Sequence, residues 1–477
     1  MDGLKSYFSS IDPILFKHVS GTPKAFIDKF REQEYLSEQV FAEYLYGGEY
    51  DENSYREWKS RTLRILQALA IISNTKGGSL VKKKYDECQK KITVGQKILT
   101  SGGRKEGMRL IKQAYLIATE YDFSHLACEL ASILHYHHTY YHRNKRMVGL
   151  YAQKVRKHLK DYTAEKEAES YFYQIVVEQT HSSIPLDFLR EAVQNLNDQK
   201  GDSIKYKFFQ ASINVLYHLC SGKYKDIILV CEKVLNFFEH RKGVYPAYYL
   251  FFLKNRGTAQ TATRDFAKAS ESYQAAEQYT TNSPYNTYMI RFYRILNELH
   301  AGNYQAAYDR YQKSKRCKFE DIRQHFVIIE AYLCFLASMG YLQLNKIFRI
   351  GKYLNDTFKA QEDKQGSNIN ILIAELLVYL ARDRGKFIDR IEAVQHYSYR
   401  HLKSPDTQRA KWFIKILCLL AHPKVNFHPV ALQRKAKRYI ELLKSHPVRM
   451  GEGFAVEIIP FDKLVEMISL QLKKKVA

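Results

Sequence analysis

Residues that interrupt helices are scarce in this chain: 10 prolines and 22 glycines stand among 477 residues. A β-rich protein of this size needs more Gly, Pro and Asn-Gly punctuation, and no run alternates apolar with polar residues in the manner of a strand. Long hydrophobic runs are missing too. The most apolar stretch, Ile369–Ala381, spans 13 residues and contains Asn370 and Glu375, short of the about 20 that a bilayer-crossing helix requires. The N-terminal MDGLKSYFSSIDPILFKHV has an early Asp and no uninterrupted apolar core, so no signal peptide is expected. Cys88, Cys128, Cys220, Cys231, Cys317, Cys334 and Cys418 form no C-x-x-C pair. Their odd number and scatter fit a reducing compartment, the cytoplasm, with the thiols acting as small buried hydrophobes.

Catalytic signatures are likewise absent. There is no G-x-G-x-x-G and no G-x-S-x-G. Gly222-Lys223, Gly351-Lys352 and Gly385-Lys386 are each followed by an aromatic residue instead of the Ser or Thr of a P-loop. The sharpest local feature is His135-Tyr-His137-His138-Thr-Tyr-Tyr-His142, in which His135, His138 and His142 share one helical face. Three imidazoles suit zinc, yet the Glu of H-E-x-x-H is missing, no carboxylate occurs from 130 to 151, and ligands on successive turns of one helix converge poorly. No metal and no cofactor are expected, and the enzyme class is set aside.

Helix signals dominate what remains. Thr22-Pro23, Ser283-Pro284 and Ser404-Pro405 each put a hydroxyl at the N-cap and Pro at the first helical position. Ser54-x-x-Glu57 has the form of a capping box ahead of the stripe Trp58, Leu63, Leu66 and Leu69. Leu432, Ala436, Tyr439, Ile440 and Leu443 recur at helical spacing. The expected fold class is all-α.

Four segments share a tight turn, an aromatic residue and an amphipathic helix: Ser221–Tyr224, Thr263–Phe266, Ala301–Tyr304 and Arg384–Phe387. The first three aromatics lie 42 and 38 residues apart, a period that accommodates two helices and two turns. Gly257, Phe266, Ala269, Tyr273 and Ala276 fall at the relative spacings of a tetratricopeptide repeat, which this segment resembles. The next unit keeps Tyr304, Ala307 and Tyr311 with Ser314 at the last small position; the preceding one keeps Tyr224 but has Ile227 where Ala is usual. Small residues let the second helix approach the first, and the aromatic fills the wedge beside the turn. The resemblance implies a right-handed α-solenoid of TPR-like helix hairpins over 96–360. Helical regions at 1–95 and 361–477 would cap it, with the polar Lys359–Asn368 as a candidate boundary. Within 96–140, Gly102–Gly107 would turn into a helix from Met108 to Glu120, followed by Leu126–Leu134.

Acidic residues are outnumbered, 50 against 74 basic, for a formal charge of +24. The excess predicts a polyanionic or acidic partner. It clusters at Lys76–Lys112, with Lys82, Lys83, Lys84, Lys90, Lys91, Arg104 and Lys105, and again at Arg434, Lys435, Lys437 and Arg438. The expected function is a non-enzymatic scaffold or adaptor for a protein or peptide, without a membrane span. Its groove would be lined by Tyr248, Tyr249, Lys254, Asn255, Arg291, Arg294 and Asn297 of presumed first helices. One alternative is an RNA-associated nucleic-acid-binding protein using both basic clusters; another is a regulator that senses a small peptide.

Overall fold

The computed structural model describes residues 7–8, 11–32, 37–73, 78–181, 185–199, 201–241, 245–280, 283–314, 316–344, 367–402, 407–450 and 456–476. Gly351-Lys352, Ser404-Pro405, Lys76 and the 359–366 portion of the polar interruption lie outside them. Among the described residues every regular element is a helix, and no helix is long and apolar enough to cross a membrane.

The helices group into two compact units, Met1–Ala164 and Glu165–Ala477. The first holds α1 (Gly21–Glu32), α2 (Glu38–Tyr46), α3 (Glu52–Ile72), α4 (Leu80–Thr100), α5 (Arg104–Glu120) and α6 (Ser124–Tyr140). The division falls within α7 (Lys145–His181). The second unit continues with α8 (Leu186–Asp198), α9 (Ile204–Cys220), α10 (Tyr224–Phe238), α11 (Pro246–Ala262), α12 (Phe266–Glu277), α13 (Pro284–Ala301), α14 (Tyr304–Ser314) and α15 (Glu320–Ser338). It ends with α16 (Ser367–Arg382), α17 (Arg384–His401), α18 (Gln408–Ala421), α19 (Pro429–Ser445) and α20 (Phe461–Val476).

Local chemistry sets the helix starts. Ser283 caps α13 by accepting the Asn286 amide at 3.3 Å, with Pro284 at the first helical position. Four starts differ from expectation. α3 is capped by Asp51, which accepts the Ser54 amide at 2.7 Å, so Ser54 lies inside the helix and no Ser54–Glu57 box forms. The carboxylate, a turn earlier, satisfies the free amide first. α1 begins at Gly21, whose φ of +69° suits glycine, and Thr22 is already helical. α5 likewise starts at Arg104, ahead of the expected Met108, and Gly385 is within the first turn of α17.

Packing is mostly between neighbours in sequence. α4 packs on α5, α5 on α6, and each of α8 through α16 on the next. α9, α11, α13 and α15 also touch one another in series, each skipping the helix between. At the α11–α12 pair the reason is visible. A Cβ on Gly257 would lie 2.7 Å from the Tyr273 ring, and Ala269, Tyr273 and Ala276 are fully buried. Ala307, Tyr311 and Ser314 repeat the burial on α14. One hydrophobic core runs through the second unit from Ile204 to Leu472. A separate one joins α1 to α3 around Phe26, Phe41 and Leu66, with Trp58 and Leu63 packed at its margin.

Candidate partner-binding surfaces

The residues expected to line a groove sit on α11 and α13, but several point inward. Asn297 on α13 donates from Nδ2 to the Phe266 carbonyl at 3.1 Å and accepts from Thr261 Oγ1 at 2.9 Å, tying three helices together. Asn255 is buried and donates to the Phe251 carbonyl. Lys254 is buried with Nζ 5.4 Å from the Phe251 ring centroid and 5.7 Å from that of Tyr293. Burial holds its ammonium down to about 8. Tyr249 is buried and donates to Glu239 at 2.5 Å. For the three on α11 the cause is shared: that helix is flanked by α9, α10, α12 and α13 and keeps little free circumference. Tyr248, Arg291 and Arg294 are half-buried. Tyr248 stacks on Phe208 at 3.8 Å, Arg291 lies over Tyr288, and Arg294 pairs with Glu277.

Much of the first basic cluster is neutralised along its own helix. On α4, Lys84 and Lys91 pair with Glu87, while Lys90 pairs with Asp86 at 2.9 Å and also donates to the Ser73 carbonyl. Lys82 and Lys83 remain exposed at the helix start. Arg104 and Lys105 are exposed at the start of α5, with the Arg104 guanidinium 3.9 Å over the Tyr141 ring. The second cluster keeps its charge. On α19, Leu432, Ala436 and Leu443 are buried, and Arg434, Lys437 and Arg438 face solvent with Lys435 half-buried beside them. None of these four has an ion-pair partner among the described residues.

The histidine motif divides differently from its helical-face reading. His137 and His138 are buried, His135 is half-buried and His142 is exposed. His142 lies 4.8 Å from the His137 centroid and 5.5 Å from that of His138, which stacks on Tyr151. Among the described residues no three His, Cys, Asp or Glu side chains converge as metal ligands.

No motif or local pattern marks the polar centre of the second unit. Arg409 on α18 is 4% exposed. It makes a two-pronged ion pair with Glu457, with Nη2 3.0 Å from Oε2, and reaches Asp462 at 3.3 Å. It also donates to the Leu443 and His446 carbonyls. Asp462 binds Arg264 at 2.9 Å, and Glu457 accepts the Phe461 amide at 2.9 Å. Burial pushes the Glu457 carboxyl up while Arg409 pulls against it.

Around this centre the C-terminal segment meets successive helix turns. Arg449 donates to the Leu219 and Cys220 carbonyls at the end of α9, and Met450 exchanges two hydrogen bonds with the Tyr224 hydroxyl. The buried His300 Nε2–H donates to the Glu457 carbonyl at 2.6 Å, while Lys463 donates to the His300 carbonyl. Residues expected to cap one end therefore dock against the α9–α10, α11–α12 and α13–α14 turns. Contacts separated by more than 150 residues leave no local sequence signal.

Compared with known proteins, the chain matches no family model, no curated protein and no solved structure.

Proposed function

We propose that the chain is a non-enzymatic scaffold or adaptor, a right-handed solenoid of tetratricopeptide-type helix hairpins that holds an acidic segment of a protein partner in the cytoplasm. The close approach of Gly257 to Tyr273 and the serial contact of α9, α11, α13 and α15 support the repeat reading. The cysteines form no disulfide, and burial raises the thiols of Cys88, Cys231 and Cys418 to about 12, in keeping with inert core residues of a reducing compartment.

The observation that carries the partner's chemistry is the outer face of α19. Arg434, Lys437 and Arg438 are exposed there without ion-pair partners among the described residues, whereas on α4 Lys84, Lys90 and Lys91 pair with Asp86 and Glu87 and leave Lys82 and Lys83 exposed. Carboxylates of a partner segment would complete this face. Tyr248, Arg291 and Arg294 are the groove positions left half-exposed for further contact.

Titrating the full chain into a fluorescent glutamate-rich peptide, with a lysine-rich peptide as control, tests the reading. Three exposed pairs at about 0.2–1 kcal/mol each sum to about 0.6–3 kcal/mol, so Arg434→Gln/Lys437→Gln/Arg438→Gln should weaken the glutamate peptide roughly 3- to 150-fold. Added salt should weaken it too. Equal binding of both peptides, or a triple variant that binds as tightly as the parent, refutes the assignment.

A further inference from the structure

One corner of the Met1–Ala164 unit runs against the electrostatic preference of helices. A helix N-terminus carries partial positive charge and favours acidic neighbours. α5 instead begins with Arg104 and Lys105, and α7 with Lys145 and Arg146. The first turn of α7 holds no acid, and the one acid in the first turn of α5, Glu106, is taken by Arg109 at 2.9 Å. The two helix starts are brought near each other by Arg104, which stacks over Tyr141 just ahead of α7. Arg143, Lys145 and Arg146 are exposed and have no ion-pair partner among the described residues. From Ala131 to Lys160 the chain contains seven Lys and Arg and no Asp or Glu. Such uncompensated like charge disfavours the folded state, which marks the corner as one shaped for a ligand.

The same corner exposes aromatic rings. Tyr136, Tyr140 and Tyr141 are 55%, 63% and 46% exposed. The Tyr136 centroid lies 4.6 Å from that of Tyr140 and 6.3 Å from that of Tyr141. On the same helix the ring nitrogens of His138, which stacks on Tyr151, are buried without a hydrogen-bond partner among the described residues. An acidic peptide would answer the cations and leave the rings unused. A duplex would offer phosphates but keep its bases stacked inside. A single strand presents phosphates and open base faces together, and cationic grooves with exposed aromatic platforms are how such strands are held.

We propose that this corner, formed by the first turns of α5 and α7 and the last turn of α6, binds single-stranded nucleic acid. Arg104, Lys105, Arg143, Lys145 and Arg146 hold phosphates, and bases stack on Tyr136 and Tyr140. The site is separate from the α19 face, so either assignment can fail without the other.

The test is fluorescence anisotropy of the full chain with a labelled 20-nucleotide oligouridine and a DNA duplex of equal length, across a salt series. The single strand should bind at least about tenfold more tightly than the duplex at equal salt. Tyr136→Ala/Tyr140→Ala should weaken it on the order of tenfold per ring without changing the salt slope, and Tyr136→Phe/Tyr140→Phe should retain binding. Lys145→Gln/Arg146→Gln should lower the slope of log K against log salt by about 1.4, two phosphates at about 0.7 each. The α19 triple variant should bind the oligonucleotide as the parent does. Equal affinity for duplex and single strand overturns the proposal, as does an alanine pair that binds normally. A glutamate-rich peptide that displaces the oligouridine at equal charge concentration overturns it as well, and assigns the corner to an acidic protein. Should the alanine pair fail to fold, the salt slope of the Lys145/Arg146 variant decides.

Discussion

Replacing Arg409 by methionine is expected to cost the second unit about 3–5 kcal/mol, because it strands a charge instead of deleting a pair. Glu457 is 1% exposed and, among the described residues, keeps only the Phe461 amide as a donor to its carboxylate once the guanidinium is gone. The Leu443 and His446 carbonyls lose a donor at the same time. Asp462 is spared, since Arg264 still pairs with it at 2.9 Å. In urea, at an m of about 3 kcal/mol/M, the loss moves the midpoint down by about 1–1.7 M. The assay needs a probe confined to this unit, and the chain supplies one. Trp412 on α18 stacks edge-on against His446 at 4.7 Å. The other tryptophan, Trp58, belongs to the first unit and can be replaced by Phe. A companion variant, Arg409→Met/Glu457→Gln, removes both charges while Gln still accepts the Phe461 amide, and should recover more than half of the loss. The single-variant loss should also shrink as pH falls, because a protonated Glu457 leaves no charge stranded. A single variant that loses less than about 1 kcal/mol, or a double variant no more stable than the single, refutes the argument.

Ala269→Leu should destabilise the second unit by about 1–3 kcal/mol through overpacking, since Ala269 is fully buried on α12; an unchanged urea midpoint would contradict this. Acid should weaken the same unit in two overlapping stages, readable as midpoint against pH. Burial lowers the His300 imidazole to about 4, so its contribution is complete above the unfolded value near 6.5 and declines as pH falls toward 4. Burial alone would raise Glu169, but hydrogen bonds from Lys166, Tyr173 and Lys205 pull it down to about 2, so its contribution fades from about pH 4.5 toward 2. A midpoint flat from pH 7 to 4 would refute the first stage. Lys82→Glu/Lys83→Glu/Lys84→Glu should change stability by less than about 1 kcal/mol, because two of these lysines are exposed and the third makes one surface pair; circular-dichroism melting checks it.

The parts of the fold that were legible in the sequence are those decided by near neighbours. Pro284 after Ser283 specifies a helix start from four residues of local chemistry. Gly257 and Ala269 announce a close helix pair because a small residue at helical spacing has few other purposes. Local rules failed where two signals competed. Ser54 and Glu57 satisfy the capping-box pattern, yet Asp51 stands one turn earlier with a stronger acceptor. The Arg409–Glu457–Asp462 centre was beyond such reasoning altogether, because 48 residues separate Arg409 from Glu457 and 198 separate Arg264 from Asp462.

The candidate surfaces divide along the same physical line. Lys254, Asn255 and Asn297 looked like groove residues because polar side chains on a helix are usually solvated. Whether a given helix face is solvated depends on which neighbours enclose it, and α11 lies against α9, α10, α12 and α13. Periodicity within α11 cannot report that enclosure. Net charge misleads for a related reason: the lysines of α4 are dense in sequence but have Asp86 and Glu87 one turn away. What predicts an unsatisfied surface is a deficit of the opposite charge within helical reach. By that measure the acid-free stretch from Ala131 to Lys160 outranks the lysine-rich Lys76–Lys112, which contains three acids. The histidines drew attention to its centre as a possible metal site, while the exposed tyrosines and unpaired cations beside them carry the stronger physical argument. A basic helix is therefore better judged by the carboxylates it lacks at three and four residues' distance than by the lysines it has.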